Sequence, residues 1–144
     1  MISSADLTPV WHHGETPEEC AKLRAEVFID EQGFPYDKDE DDARCYHLRV
    51  VLDGQTVGVS RMFWENETTL HCGRIAVKKA LRGQHIGQFI IACMEAKGKE
   101  LGAEKLELGA QMHAVTFYEG CGFEPFGEIF DDAGAPHRHM RKLL

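Results

Sequence analysis

The sequence predicts a single α+β domain (mixed α/β) in which helices cover one layer of sheet. The chain has 144 residues, which suffice for one hydrophobic core but not for two ordinary domains, so we expect one domain over residues 1–144. Hydrophobic residues make up 43% of the chain and charged residues 28%, as in globular proteins. Helical and alternating apolar patterns follow one another without a linker, repeat or low-complexity stretch, which predicts a mixed sheet with helices.

Apolar periodicity places the elements in the order strand, helix, three strands, helix, strand, helix and two strands. The predicted ranges are 10–13, 17–31, 47–52, 56–64, 70–77, 86–101, 105–110, 113–119, 123–130 and 137–143. Thr16 is the expected N-cap of the first helix, with Glu19 as its partner in a capping box. The second helix has the clearest period, with Ile86, Ile90 and Met94 on one stripe.

Charge and cysteine content narrow the classes of partner and compartment. Sixteen Lys and Arg residues against 24 Asp and Glu residues give a formal net charge of −8, which repels nucleic acids and anionic membranes. No apolar run approaches the roughly 20 residues that cross a bilayer, and the N-terminus lacks a signal-peptide pattern. The five cysteines are odd in number and widely spaced, so we expect reduced thiols and a cytoplasmic protein.

The segment Leu81–Gly87 predicts a site for an anion. It links the strand that ends near Val77 to the amphipathic helix, and it contains Arg82 and two glycines. Free N–H groups converge at such a helix N-terminus, and the helix dipole favours negative charge there. The segment matches neither a Walker A loop nor a dinucleotide-binding G-x-G-x-x-G motif. The alternative is that the glycines only permit a tight turn.

A second motif begins 24 residues beyond this segment: Gln111-x-x-Ala114-x-x-Phe117-Tyr118-x-x-x-Gly122-Phe123. Together with Arg82-x-x-His85-x-Gly87, it resembles the pyrophosphate-loop and second-helix motifs of the GNAT superfamily of acyl-CoA-dependent N-acetyltransferases. Two further segments resemble the small bacterial ElaA-like branch: Arg24-x-x-Val27-Phe28-x-x-Glu31-Gln32 and Pro136-His137-x-x-Met140. The second is also similar to the C-terminal strand of glyphosate N-acetyltransferases. The resemblance extends from about Thr8 to Leu144 and implies a mostly antiparallel mixed sheet flanked by helices.

The resemblance implies acetyl-CoA as co-substrate and no metal. It assigns cofactor contacts to a strand, to the loop and to the second motif: Ile75, Ala76, Val77, Arg82, Gly83, Gln84, His85, Ile86, Gly87, Gln88, Gln111 and Phe117. The chain departs from the family at two positions, where His85 stands for the usual Gly and Gln111 for the usual Asn. Histidine tolerates a positive φ better than a branched residue does, and glutamine offers the same amide hydrogen bonds from a longer stem.

The resemblance also implies that an acetyl group passes to a primary amine of a small molecule, or of a peptide, by direct attack in a ternary complex. The alternatives are a non-catalytic acyl-CoA-binding module and acyl transfer to a non-amine acceptor. Tyr118 is the candidate acid for the leaving thiolate, and a core aromatic is its alternative role. His137 is the candidate base, because imidazole titrates near ~6.5, and a structural or surface histidine is its alternative role. His139 shares its strand face and could serve instead, and such a pair could also bind a metal, although no third ligand has motif spacing.

Three charged side chains are candidate ligands for the acceptor. Arg24 and Glu31 lie in the apolar stripe of the first helix, where unpaired charge is costly. We expect Arg24 to hold an anionic group of the acceptor or to line its pocket, and Glu31 to hold an amine. The alternative is a structural ion pair, or Arg24 capping a neighbouring carbonyl. Arg74 could reach the acceptor or could be a solvated strand residue.

Five acidic residues crowd the loop after Pro35: Asp37, Asp39, Glu40, Asp41 and Asp42. Such a run is either solvated or, as we hypothesise here, favours cationic amines electrostatically. His12, His13, His47, His71 and His113 are expected to be structural or surface residues. We expect the protein to be a monomer or a homodimer.

Overall fold

A seven-stranded sheet forms the centre of the computed structural model, which describes residues 2–144. The strands are β1 (Thr8–His13), β2 (Tyr46–Leu52), β3 (Gln55–Trp64), β4 (Thr69–Val77), β5 (Lys105–Gln111), β6 (Glu124–Asp132) and β7 (Ala135–Leu143). Their order across the sheet is β1-β2-β3-β4-β5-β7-β6, and β4–β5 is the one parallel pair among these strands. The mostly antiparallel α+β arrangement confirms the predicted fold class.

Helices cover both faces of this sheet. Helix α1 (Glu18–Arg24) continues as π-helical turns over Ala25–Glu31, and α2 (Ile86–Leu101) and α3 (Val115–Gly120) follow later in the chain. Short 3-10 turns lie at Ser4–Asp6, Glu40–Arg44, Lys79–Leu81 and Met112–Ala114. Within residues 2–144, every helix is too short or too polar to cross a membrane.

The predicted start of the first helix is wrong. Pro17, not Thr16, occupies the N-cap position, with φ −58° and ψ 146°, and no side chain in residues 2–144 caps the helix. The Thr16 hydroxyl is buried and has no hydrogen-bond partner within the same residues. The helical segment ends at Glu31 as predicted, but its second half is π-helical, a form that the apolar period does not reveal.

An apolar cluster packs against each face of the sheet. Helix α2 buries Ile86, Ile90 and Met94, which confirms the predicted stripe. Its close approach depends on Gly58 of β3, because a Cβ there would lie 2.9 Å from the Ile90 side chain. On the other face, α1 packs in a smaller cluster formed by Cys20, Leu23, Val27, Val59 and Ala76. The two faces therefore carry different helices.

Strands β4 and β5 pair over four residues each and then diverge. Their pairing runs from Thr69 opposite Lys105 to Cys72 opposite Leu108, whereas β4 continues along β3 and β5 along β7. The register of β3 with β4 shifts between Val59 and Arg61. Two residues of β4 thereby oppose one residue of β3, and Arg74 lies in this bulge with a left-handed φ of 50°. The divergence opens a gap in the middle of the sheet.

Arginines from α1 and from the sheet bind the acidic loop. Arg24 of α1 donates from Nε to Asp37 Oδ1 at 2.7 Å and from Nη1 to Asp42 Oδ1 at 2.8 Å. Arg61 of β3 shares Asp42, with Nη1 at 2.8 Å from the same oxygen. Arg24 is only 1% exposed, so its charge is balanced within the protein.

The same loop also holds Arg61 and Arg74 through Asp39. Arg61 donates to the two carboxylate oxygens of Asp39 at 2.6 and 2.8 Å. Arg74 donates to Asp39 Oδ2 at 3.2 Å and to the main-chain oxygen of Asp37 at 2.9 Å. We call these three arginines and three aspartates the arginine–aspartate network: Arg24, Arg61, Arg74, Asp37, Asp39 and Asp42. It ties the loop to α1, β3 and β4.

This network corrects the expectation that the acidic loop attracts cationic amines. Asp41 is paired with Arg44 at 2.9 Å, so four of the five acidic side chains already contact a guanidinium. Burial opposes ionisation of Asp42, but hydrogen bonds and charge from Arg24 and Arg61 outweigh it and hold the pKa of this carboxyl well below its usual range. The loop is a structural element whose charge is largely neutralised.

Asp42→Asn should lower the free energy of unfolding by about 3–5 kcal/mol, because it leaves two buried guanidiniums without their shared carboxylate. Urea unfolding at neutral pH measures the change. The control Asp41→Asn breaks an exposed pair and should cost less than about 1 kcal/mol. Equal losses in the two variants would contradict the assignment.

The pH dependence of stability offers a second check on Asp42. Its folded pKa lies below the unfolded value of roughly 3.9, so its stabilisation is complete above that pH and is lost as the pH falls through the folded pKa. Wild-type stability should therefore fall more steeply in acid than that of Asp42→Asn.

Candidate active site

The gap between β4 and β5 opens into a cleft of about 400 Å³. Elements on both faces of the sheet line it, including the π-helical segment, α3, β6 and β7. Gly73 of β4 and Gly109 of β5 directly follow the last paired residues and line the cleft, and neither carries a side chain that would fill the gap. The cleft is therefore a direct consequence of the divergence of the two strands.

Tyr118 reaches this cleft from α3. Its ring packs edge-on against Phe117 and Phe123, with centroids 5.2 and 5.8 Å away, and the residue is 9% exposed. Burial raises the pKa of its phenol, so the hydroxyl keeps its proton at neutral pH. Tyr118 is thus both a core aromatic and a cleft residue, and it can donate a hydrogen bond there.

His137 lines the cleft from β7. Its Nδ1 lies 2.9 Å from the main-chain oxygen of Ala135. A carbonyl oxygen only accepts hydrogen bonds, so the neutral ring carries its hydrogen on Nδ1 and leaves the Nε2 lone pair free. Phe130 of β6 packs against the ring with a centroid distance of 5.7 Å. The orientation and tautomer suit a proton acceptor at Nε2.

Three further histidines line the same cleft. His139 stacks on Phe130 at 4.2 Å and shares the strand face of His137, as strand parity predicts. His71 and His113, which were expected to be structural or surface residues, also line the cleft. Burial and the charge of Arg61 lower the pKa of His71. The alternation of β4 could have identified His71, since it lies two residues before the cleft residue Gly73.

The predicted anion loop joins β4 to α2. His85 is the N-cap of α2 and adopts a φ of 67°, and no side chain in residues 2–144 caps the helix. Gly83 also has a positive φ, of 82°. Ile86 is buried in the core, so only its main chain is available to a ligand, whereas Gln88 is exposed. The loop therefore presents uncapped main-chain N–H groups.

Gly87 and Phe117 bring the two sequence motifs into contact. A Cβ at Gly87 would lie 2.9 Å from Cζ of Phe117, so the aromatic ring packs directly on the helix backbone. This contact fixes α3, which carries Tyr118, against the first turn of α2. Glycine is required here for close packing rather than for a special φ.

Two side chains of the predicted cofactor site contact the end of the π-helical segment. Arg82 binds Glu31 through both terminal nitrogens, at 2.5 and 2.7 Å, and its Nε donates to the main-chain oxygen of Val77 at 3.1 Å. Gln111 Nε2 donates to Gln32 Oε1 at 2.8 Å. The partners lie 51 positions apart in the first contact and 79 in the second, so no local sequence pattern predicts either contact.

The three predicted acceptor ligands differ in whether they line the cleft. Arg74 lines the cleft, with a quarter of its side chain exposed, and so does Ile75 of the predicted cofactor strand. Arg24 and Glu31 are not among the lining residues. Arg24 is committed to Asp37 and Asp42, and Glu31 to Arg82, so the ion-pair alternative describes both. Arg61 also lines the cleft, although no motif in the sequence predicts it as a site residue.

Asp42, Cys45 and His47 form a buried cluster whose donor atoms lie within 4.8 Å of one another. A cation there would have to displace Arg24 and Arg61 from the Asp42 carboxylate. The Cys45 thiol also holds its proton, because burial raises its pKa to about 11. The cluster therefore does not fit a metal ion.

Known acetyltransferases resemble this chain in sequence and in fold. Residues 16–144 match the family model described as an acetyltransferase (GNAT) domain. Protein ElaA of Escherichia coli K12 is 31% identical over 99% of this chain and 97% of its own length. The crystal structure of an acyl-CoA N-acyltransferase from Pseudomonas aeruginosa superposes with a TM-score of 0.84 at 27% identity, covering 94% of this chain and 99% of that one. A Bacillus subtilis acetyltransferase solved in complex with CoA shares the fold, with a TM-score of 0.74 at 21% identity over 96% of this chain and 99% of that one.

Substitutions at His85 should show how much its left-handed backbone conformation contributes to stability. His85→Val should lower the free energy of unfolding by about 1–2 kcal/mol relative to His85→Gly, because a branched side chain is strained at this positive φ. Urea unfolding of the matched pair measures the difference. Equal stability would mean that the loop does not need its left-handed N-cap.

Proposed function

Because this chain belongs to the GNAT family of acetyltransferases, we propose that it moves an acetyl group from acetyl-CoA to a primary amine of a small molecule. The reaction is direct attack within a ternary complex. The proposal rests chiefly on one observation: Tyr118 from α3 and His137 from β7 line the same cleft at the gap in the sheet. A proton donor and a proton acceptor thus face the same cleft.

The cofactor site of this proposal combines the loop 82–88 with the free edge of β4. The loop offers uncapped N–H groups at the start of α2, which suit the diphosphate of coenzyme A. Beyond Cys72, β4 has no pairing with β5, and we assign this unpaired edge at Ile75–Val77 to the pantetheine arm, apart from the Val77 oxygen, which accepts from Arg82. An N–H donor on this edge would stabilise the oxyanion of the tetrahedral intermediate. The bound CoA in the Bacillus subtilis relative supports this choice of cofactor.

Each proton in the reaction has a proposed acceptor. A lysine-like ammonium titrates near ~10.4, so it must lose a proton before its nitrogen can attack. His137 Nε2 takes that proton, the nitrogen forms a bond to the thioester carbon, and the C–S bond breaks as the intermediate collapses. Tyr118 donates its proton to the departing thiolate. The second proton lost from the nitrogen restores the phenol.

Arg74 is the proposed acceptor ligand among the three predicted from sequence. It lines the cleft, and its Nη1 has no hydrogen-bond partner within residues 2–144. Burial and the neighbouring charge of Arg61 lower the pKa of Arg74. Aromatic side chains, among them Phe28, Tyr36 and Phe130, supply apolar surface to the same cleft.

A thiol-release screen with acetyl-CoA against amines and matched alcohols tests the proposed reaction, beside calorimetry with coenzyme A. We expect turnover with an amine and not with the corresponding alcohol. Coenzyme A binding without turnover of any amine would instead identify a non-catalytic binding module. Turnover of the alcohol alone would identify an acyltransferase for hydroxyl groups.

Tyr118→Phe should lower kcat by about 100-fold or more, because it removes the proton donor of the thiolate, and should leave coenzyme A affinity unchanged. Calorimetry and steady-state kinetics with the best amine of the screen measure both quantities. Wild-type kcat in this variant would contradict the acid role.

His137→Ala should lower kcat/KM by a similar factor near pH 7. The deficit should shrink as the pH rises toward the pKa of the amine, because the deprotonated acceptor no longer needs the base. His12→Ala, an exposed histidine on β1, is the control and should match the wild type. A deficit that is constant with pH would exclude the base role.

A further inference from the structure

Consecutive residues at the end of the π-helical segment bridge to both motifs of the proposed cofactor site. Glu31 binds Arg82 of the loop through two contacts of 2.5 and 2.7 Å. The next residue, Gln32, accepts from Gln111 at the end of β5 at 2.8 Å. One short stretch of chain is thereby attached to two elements that lie on either side of the gap between β4 and β5.

The contact between Arg82 and Glu31 has the paired geometry that arginine forms with carboxylates. Its hydrogen bonds lower the pKa of Glu31 and raise that of Arg82. The remaining guanidinium nitrogen, Nε, donates to the main-chain oxygen of Val77, the last residue of β4. Every nitrogen of Arg82 is therefore engaged by the protein, and the side chain connects the end of β4 to the π-helical segment.

The same segment forms part of the acceptor wall. Phe28 and Gln32 line the cleft, and the chain then runs through Phe34 and Tyr36 to Asp37, which line it as well. Asp37 in turn belongs to the arginine–aspartate network. A change in the position of residues 25–36 would therefore change the shape of the cleft where the acceptor binds.

We propose that Glu31 and Gln32 are positioning residues that couple the coenzyme A site to the acceptor wall. This inference rests on the proposed function, because coenzyme A must occupy the loop 82–88. The main-chain N–H groups of the loop hold the diphosphate, while the side chain of Arg82 stays on Glu31. Coenzyme A that fixes the loop then also fixes residues 25–36, and by linkage each ligand favours binding of the other.

The alternative role for Glu31 makes the opposite prediction. If the carboxylate competed with the diphosphate for Arg82, its removal would free the guanidinium and coenzyme A would bind more tightly. In the coupling that we propose, removal of the Glu31 carboxylate loosens residues 25–36 and does not tighten coenzyme A binding. The sign of the change in affinity therefore separates the two roles.

Hydrogen–deuterium exchange with coenzyme A as the probe tests the coupling without a known acceptor. In the wild type, saturating coenzyme A should slow exchange in residues 82–88 and also in residues 25–36. In the double variant Glu31→Gln, Gln32→Ala, the slowing in 82–88 should remain, and that in 25–36 should fall by about fivefold or more. Glu26→Gln, an exposed change in the same segment, is the control and should behave as the wild type. Unchanged protection of 25–36 in the double variant would overturn the coupling.

A double-variant cycle on coenzyme A affinity is the second test. Glu31→Gln, Arg82→Met and the combined variant should each weaken coenzyme A binding by about the same two- to fivefold. Each variant breaks the same exposed ion pair, and such pairs contribute modestly. Additive losses, or tighter binding in Glu31→Gln, would refute the coupling. Thermal unfolding of all variants should match the wild type, since these side chains are exposed.

The two proposals fail in different ways. If calorimetry shows no binding of coenzyme A to the wild type, the proposed function fails and the coupling fails with it. If coenzyme A binds and amines are acetylated, but the variants match the wild type in exchange and affinity, the coupling alone is wrong.

Discussion

The divergence of β4 from β5 is the constraint on which the site depends. Parallel neighbours in a sheet normally stay bonded along their length, yet these two pair over four residues each. The bulge at Arg74 lets β4 keep its bonds to β3 while its path leaves β5. Polar main-chain edges and the glycines at 73 and 109 then face the gap, where side chains from α3 and β7 meet. A continuous sheet with the same residues would keep Tyr118 and His137 on separate faces.

Opening the sheet in this way strains the main chain at Arg74, and the arginine–aspartate network holds the strained residue in place. A non-glycine residue at a φ of 50° is strained, and Arg74 is held there by contacts to Asp37 and Asp39. Buried ion pairs stabilise little by themselves, because desolvation consumes most of their attraction. Their effect here is geometric, since the shared carboxylates fix α1, β3 and β4 relative to one another. The acidic loop that forms them is also a wall of the cleft.

Much of the fold was predictable from sequence because its signals are local. The apolar stripe of α2 and the end of the first helical segment at Glu31 depend on residues within a few positions of each other, and both appear in the structure. The partners of Arg24 were not predictable, because Asp37 and Asp42 lie 13 and 18 residues away and look like a solvated charge run. The π-helical turns and the cleft position of Arg61 likewise depend on tertiary packing. A family resemblance identified Tyr118 and His137, whereas periodicity alone could not separate them from core residues.

The loop before α2 shows why a motif can tolerate the unusual residue at 85. Its main chain adopts the left-handed N-cap that a glycine would provide, and the imidazole is exposed, so the substitution changes little but local strain. Gly87 is a different case, because Phe117 occupies the space that any side chain there would need. Arg82 is different again, since its guanidinium is bound to Glu31 and Val77. The three motif positions therefore have different structural roles. His85 sets the backbone conformation, Gly87 permits helix packing, and Arg82 attaches the loop to the π-helical segment. In the proposed function, the diphosphate binds the main-chain N–H groups of this loop, so substitutions at these three positions would affect its binding by moving the backbone.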